Sequence, residues 1–236
     1  MHGYNSPDMS APFSIVIPTL NAAAELPATV NALLPGLEMG MIRELIISDG
    51  GSTDDTLMIA EEAGAVIVDG PKGRGGQLHR GAKAAKGEWL LFLHADTHLA
   101  PDWVGAAAIH RAEHPNLAAA FRLSFRAKGI APRLVASWAN MRSIGLNLPY
   151  GDQGLIMSRA LYDYCGGYPD QPLMEDVALA RALKGRIRLL DTHVATGAER
   201  YEKNGWLRQS LRNFATLTRY SFGADPEALA ARYHKG

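Results

Sequence analysis

The chain has almost no cysteine, no dominant charge and no long apolar run. Cys165 is the single cysteine in 236 residues. No internal disulfide can form, and a reducing, cytoplasmic setting is expected. Basic and acidic residues balance at 24 each, which excludes a global field that would draw the chain to nucleic acid. No apolar stretch approaches the ~18 residues of a membrane span. The first residues, MHGYNSPDMSAP, lack the basic start and apolar core of a signal peptide, so residues 1–11 are expected to be a loose tail. Neither a repeat nor a low-complexity linker interrupts the rest, and 12–236 is expected to be one domain.

What is present is alternation. Short apolar runs, FSIVIP, ELIISD, AVIVDG and EWLLFL, are separated by helical patterns. One helix follows a capping-box-like start at Ser52 and Asp55. Another, LHRGAKAAKG, follows a glycine-rich turn, GPKGRGGQ. Strand and helix in turn predict an α/β fold with a mainly parallel sheet. The second half predicts a helix after Pro101, a half-exposed strand in AAAFRLSFRA and a helix in PRLVASWANMRSIGL. It continues with a turn and strand in YGDQGLIMSR, a short helix in EDVALARAL and a strand in GRIRLLD. A last helix starts at Trp206, with Leu207, Leu211, Phe214 and Leu217 on one face and Arg208, Arg212 and Arg219 beside it. That face would pack on the domain, on a second subunit, or on a membrane surface.

Ligands of parallel sheets bind beyond the carboxyl ends of the strands. Pro18–Asn21, Asp49–Ser52 and His94–His98 all follow predicted strands and should share one rim. In LLFLHADTH, a buried-strand pattern turns at once into His94, Asp96 and His98, all of metal-ligating type. A Rossmann fingerprint needs G-x-G-x-x-G directly after a strand. PTLNAAAE follows the first strand instead, and no P-loop occurs. HRAEH (110–114) fits an inverted zinc-protease motif, but Pro115 cuts its helix, and a solvated helix end is the plainer account. Cys165 precedes two glycines in a turn and reads as structural.

Four segments, IVIPTLNAAAEL, ELIISDGGSTDDT, GRGGQLHRGAKAAKGEWLLFLHADT and GGYPDQPLMEDVALARAL, together resemble family 2 glycosyltransferases of GT-A fold. FLHADT, YGDQG and PLMEDV resemble most closely a bacterial subfamily of radical-SAM/selenodomain-associated transferases. The resemblance implies a nucleotide-binding half (12–100), an acceptor half (101–200) and C-terminal helices (201–236). It implies inverting transfer of a sugar from a nucleotide diphosphate, usually of uridine, to an acceptor hydroxyl, the acceptor itself being unidentified. Donor contacts carry over to Pro18, Thr19, Glu25, Asp49 and Ala95, and Tyr150, Gly151, Asp152 and Gln153 resemble the acceptor-side loop. Arg74 and Gln77 lie in the glycine-rich segment, where a guanidinium could reach base or phosphate. Plain turns are the competing accounts of Asp49 and of YGDQ.

Such chemistry has two needs. The departing diphosphate gains charge that a divalent cation, Mn2+ or Mg2+, neutralises, and the acceptor hydroxyl must lose a proton to a base. Asp96 matches the second acid of the family's Asp-x-Asp metal motif. His94 stands where the first acid would be, with His98 close by. A packed strand-end histidine is the competing account of His94. The pair Glu175 and Asp176 implies a base, Asp176, oriented by Glu175. Acids favoured by a helix start would look the same. The Gln-x-x-Arg-Trp motif of processive members is absent, which points to single transfers. Two alternatives stay open: a non-catalytic or degenerate nucleotide-sugar binding protein, and a sugar-nucleotide pyrophosphorylase, against which the glycine-free first loop speaks.

Overall fold

A computed structural model describes residues 11–234 of the chain. The expected tail, except Ala11, lies outside the described residues. Along the chain run β1 (Phe13–Thr19), α1 (Leu26–Asn31), α2 (Leu34–Glu38), β2 (Ile42–Asp49), α3 (Thr56–Glu62), β3 (Val66–Asp69), α4 (Arg74–Ala84) and β4 (Trp89–Phe92). Then follow β5 (His98–Leu99), α5 (Trp103–Glu113), β6 (Ala118–Phe125), α6 (Ile130–Leu146), β7 (Leu155–Ser158), α7 (Arg159–Tyr164), α8 (Glu175–Ala182) and β8 (Ile187–Thr196). The chain closes with α9 (Glu199–Asn204), α10 (Trp206–Ser221) and α11 (Pro226–His234).

The strands form one sheet in the order β3-β2-β1-β4-β7-β6-β8-β5. β1, β2, β3 and β4 are parallel, and β7 pairs antiparallel with β4. The apolar runs of β1 and β4 are buried on both faces, as interior parallel strands require, whereas β3 at the sheet edge is only half-buried. Alternation along β1 and β4 divides the core in two. Phe13, Ile15, Ile17, Trp89 and Leu91 pack on one side, and Val16, Leu90 and Phe92 on the other.

Four local expectations are corrected. AAAFRLSFRA is not half-exposed: β6 lies between β7 and β8, and Ala118–Phe121 are fully buried. The capping box at Ser52 does not form, because Ser52 Oγ donates to Asp49 Oδ1 at 2.6 Å and accepts from Asn21 N. Asp54 instead accepts from Thr56 N at the start of α3. The second half of the glycine-rich turn is helix, since α4 already begins at Arg74. Finally, Leu207, Leu211 and Phe214 do not pack on the domain but stand exposed.

Candidate active site

A cavity of about 980 Å3 opens at the carboxyl ends of the central strands. Pro18 and Thr19 bring the end of β1 to its wall, and His94 and Asp96 bring the loop after β4. Arg74 and Gln77 reach it from the first turn of α4, Tyr150 and Asp152 from the loop before β7, and Glu175 and Asp176 from the start of α8.

The loop after β1 is stapled to the loop after β2. Asp49 is buried and accepts from Thr19 Oγ1 at 2.7 Å, from Ser52 Oγ, and from the backbone of Gly51 and Ser52. Burial opposes its charge, but these hydrogen bonds prevail and hold its carboxyl below the usual range. Asn21, at φ 51°, accepts from Thr53 N. Gln77 Nε2 donates to Thr19 O at 2.7 Å and to Ser48 O at 2.9 Å, tying α4 to both strand ends.

α8 begins on a strained residue. Met174 sits at φ 64°, a conformation that side-chain-bearing residues seldom adopt. It places Glu175 and Asp176 in the first helical turn. Glu175 is buried at 2% exposure and lies 3.3 Å from Arg74 Nε. Burial pushes its carboxyl up to about 7, against the pull of Arg74 and with the neighbouring Asp176 charge adding to the rise. Asp176 accepts from Gly151 N at 2.9 Å and from Val177 N, so its carboxylate is held toward the cavity from two sides. Asp152 is pushed up to about 6, again by burial first, and its Oδ1 has no hydrogen-bond partner among the described residues.

Burial and the cations Arg74 and Arg200 press the His94 ring down to about 3, so it is neutral. The Asp96 carboxylate accepts a long 3.5 Å contact from Thr196 Oγ1. A Cβ on Gly197 would fall 3.1 Å from its Oδ2 and 2.4 Å from Glu199 Oε2. His94 and Asp96 thus offer one neutral nitrogen and one carboxylate to the same cavity. No group of three such ligands among the described residues could hold a metal ion, so phosphate oxygens or water would have to complete the shell.

Several expected residues lie off the cavity wall. Glu25 pairs with Arg126 at 2.5 Å. The Ala95 carbonyl accepts from Thr29 Oγ1 at 2.6 Å. Gln153 is fully buried, donates to Phe121 O and accepts from Ser143 Oγ, so it anchors its loop. His98 stands on β5, where burial and the Arg126 charge hold its ring below the usual imidazole range against the pull of Glu25 and Asp96. Gly151 packs against the His94 ring, where a Cβ would come within 2.5 Å of Nε2. His110 is buried on α5 with Nε2 3.0 Å from Leu117 O. The Cys165 thiol donates to Leu161 O.

Other wall residues carry no motif in the sequence. Phe125, Arg200, Tyr201, Gln209, Asn213 and Tyr233 close the cavity from β6 and the C-terminal helices. Tyr201 stacks on Trp206 at 4.9 Å, with Phe125 edge-on to both. The only sequence hint was the run RYEKNGWLRQSLRN, where cations and aromatics gather near the chain end.

The model of Glycosyl transferase family 2 matches residues 14–155, more than half of the chain. The chain belongs to this family. The segment shared with a PGL/p-HBAD biosynthesis glycosyltransferase of Mycobacterium bovis (strain BCG / Pasteur 1173P2) is 43% identical over 99 residues, 39% of this chain and 38% of that one. A glucosyl-3-phosphoglycerate synthase of Mycobacterium tuberculosis (strain CDC 1551 / Oshkosh) is 33% identical over 92 residues, 35% of this chain and 28% of that one. The match thus spans well under half the length of either relative. Among solved structures, S. aureus TarS 1-349 superposes with a TM-score of 0.63 at 20% identity, over 79% of this chain and 60% of that one. Glucosyl-3-phosphoglycerate synthase from M. tuberculosis, in complex with Mn2+, UDP and glucosyl-3-phosphoglycerate, superposes at 0.56 and 23% identity, over 84% of this chain and 76% of that one. At such identities these neighbours show the fold, and the fold of this family 2 chain is GT-A.

Proposed function

We propose that the chain is a glycosyltransferase that moves a sugar from a UDP-linked donor to an acceptor hydroxyl with inversion. The observation that carries this is the meeting of Thr19, Arg74, Asp96 and Asp176, from three separate motifs, on one cavity wall. Pro18, Thr19, Arg74 and Gln77 would hold the nucleotide diphosphate, and Asp49 would keep the first two loops in place behind them. His94 and Asp96 would hold a divalent cation together with the diphosphate. The structural neighbour bound to Mn2+ and UDP supports that part. When bound, the cation supplies positive charge that offsets the charge gathering on the leaving diphosphate.

Asp176 would take the proton of the acceptor hydroxyl as it attacks the anomeric carbon. Gly151 N fixes the direction of that carboxylate. Arg74 and Glu175 would position donor and base relative to each other, because one side chain of their ion pair faces each. Tyr150 and Asp152 would border the acceptor. Resemblance to the radical-SAM/selenodomain-associated subfamily rests on FLHADT, YGDQG and PLMEDV.

Calorimetry with UDP, GDP, dTDP and CDP, each with Mn2+, Mg2+ or chelator, tests the donor side. UDP should bind, and chelation should weaken it about tenfold or more, a difference of 1.4 kcal/mol. Equal binding with and without metal would overturn the metal role of His94 and Asp96. Donor hydrolysis or transfer tests the chemistry. Asp176→Asn should lower turnover about a hundredfold or more, the usual range for a general base, and leave UDP binding intact. Asp96→Ala should lower both turnover and metal-dependent binding. Binding of UDP without any turnover by the unaltered chain would favour a degenerate binding protein.

A further inference from the structure

Two neighbouring helices are inside out. On α6, Leu134, Trp138, Met141 and Ile144 are 65%, 56%, 58% and 62% exposed. The face that α6 buries holds Pro132, Ala136, Ala139 and Ser143. On α10, Leu207, Leu211 and Phe214 are 74%, 59% and 56% exposed, while the buried residues are Gln209 and Thr216. The helices touch each other. A water-facing helix normally turns its apolar stripe inward, and a large exposed apolar area marks an interaction surface.

Charge identifies the partner. The whole chain is electrically balanced, yet neither helix contains an aspartate or glutamate. Together they carry Arg133, Arg142, Arg208, Arg212 and Arg219. Arg142 and Arg212 are turned onto main-chain carbonyls, and Arg133, Arg208 and Arg219 stay exposed. A second copy joined through this same face would set arginine against arginine, with no acid on either helix to meet it. Apolar side chains flanked by arginine suit a surface that is apolar inside and negative at its rim, which is the interface of an anionic bilayer. Trp138 has the amphipathic ring that favours such a boundary.

We propose that α6 and α10 form a docking face for anionic lipid bilayers. The far side of α10 carries Gln209 and Asn213, which line the cavity, so docking would set the cavity beside the membrane. The proposal is independent of sugar transfer and is tested without donor.

The full chain is sedimented with vesicles of phosphatidylglycerol and phosphatidylcholine, and with vesicles of phosphatidylcholine alone. It should follow the anionic vesicles, follow the neutral ones poorly, and be released by salt. Trp138→Glu/Met141→Glu and Leu207→Glu/Leu211→Glu should each abolish sedimentation while keeping the circular dichroism of the unaltered chain. Arg208→Gln/Arg219→Gln leaves the apolar face intact and should weaken binding about fivefold per arginine, the effect of one basic residue near such a surface. Failure to follow anionic vesicles would overturn the proposal. So would binding that none of the three variants weakens. A dimer in sedimentation equilibrium that Leu207→Glu/Leu211→Glu dissociates, without vesicle binding, would assign the face to a second copy instead.

Discussion

Asp152 and Glu175 show how single residues at this cavity depart from their ordinary chemistry. Asp152 titrates near 6 rather than 3.8 because burial disfavours its charge. Its folded pKa lies above its unfolded one, so the folded state is progressively penalised as pH rises from 3.8 to about 6. Asp152→Asn should therefore stabilise the protein by about 3 kcal/mol above that window and little below it, read from denaturant midpoints at both ends. Glu175 obeys the same sign between 4.5 and about 7. Arg74→Met removes the cation that restrains the rise, so the Glu175 carboxyl moves further up and the added destabilisation should grow as pH climbs above about 7. A pH-independent loss would show that Arg74 acts by packing alone. Motif letters located Asp96, Arg74 and Asp176 at the cavity. They did not locate Glu25, Ala95, His98 and Gln153, because a motif states which side chain is present but not which way it turns. Gln153 follows Asp152 directly, yet points into the core.

At the scale of elements, α4 has the most to teach. Its glycines look like a loop in the sequence, because glycine lowers helix propensity by about 1 kcal/mol. Tertiary packing overrides that preference. A Cβ on Gly75 would lie 2.2 Å from Pro169 O, and one on Gly76 would lie 2.5 Å from Asp170 Oδ1. The glycines let the first turn of α4 press against the segment that leads to α8, and so bring Arg74 to Glu175. Gly75→Ala should cost about 1–3 kcal/mol through overpacking and also weaken UDP binding, measured by chemical denaturation and calorimetry. The partner loop lies about a hundred residues away in the chain, so no local pattern could announce it. The strands were legible for the opposite reason: unbroken apolar runs such as Trp89–Leu93 have few other fates in a chain of this kind.

For the molecule as a whole, the cavity joins the first parallel strands to the C-terminal helices, and ligand binding should be felt by the entire fold. A ligand that binds only the folded state adds about 2.7 kcal/mol at a hundred times its Kd. UDP with Mn2+ should raise the unfolding temperature by several degrees, at about 2–4 °C per kcal/mol for a protein of this size, and chelator should remove most of the gain. An equal rise without metal would separate nucleotide binding from the His94–Asp96 pair. No helix among the described residues is long and apolar enough to cross a membrane.

By itself the sequence determined the α/β alternation, the strand ends that carry His94, Asp96 and Asp49, and the acids that open α8. These follow from local periodicity and from residue chemistry, which neighbours in the chain suffice to express. Only the tertiary structure decided that Asp49 faces a loop while Arg74 faces Glu175, that Phe125, Tyr201 and Tyr233 close the cavity, and that α6 and α10 turn apolar faces outward. Those outcomes depend on contacts between segments far apart in the chain and on which face of each helix the core leaves uncovered.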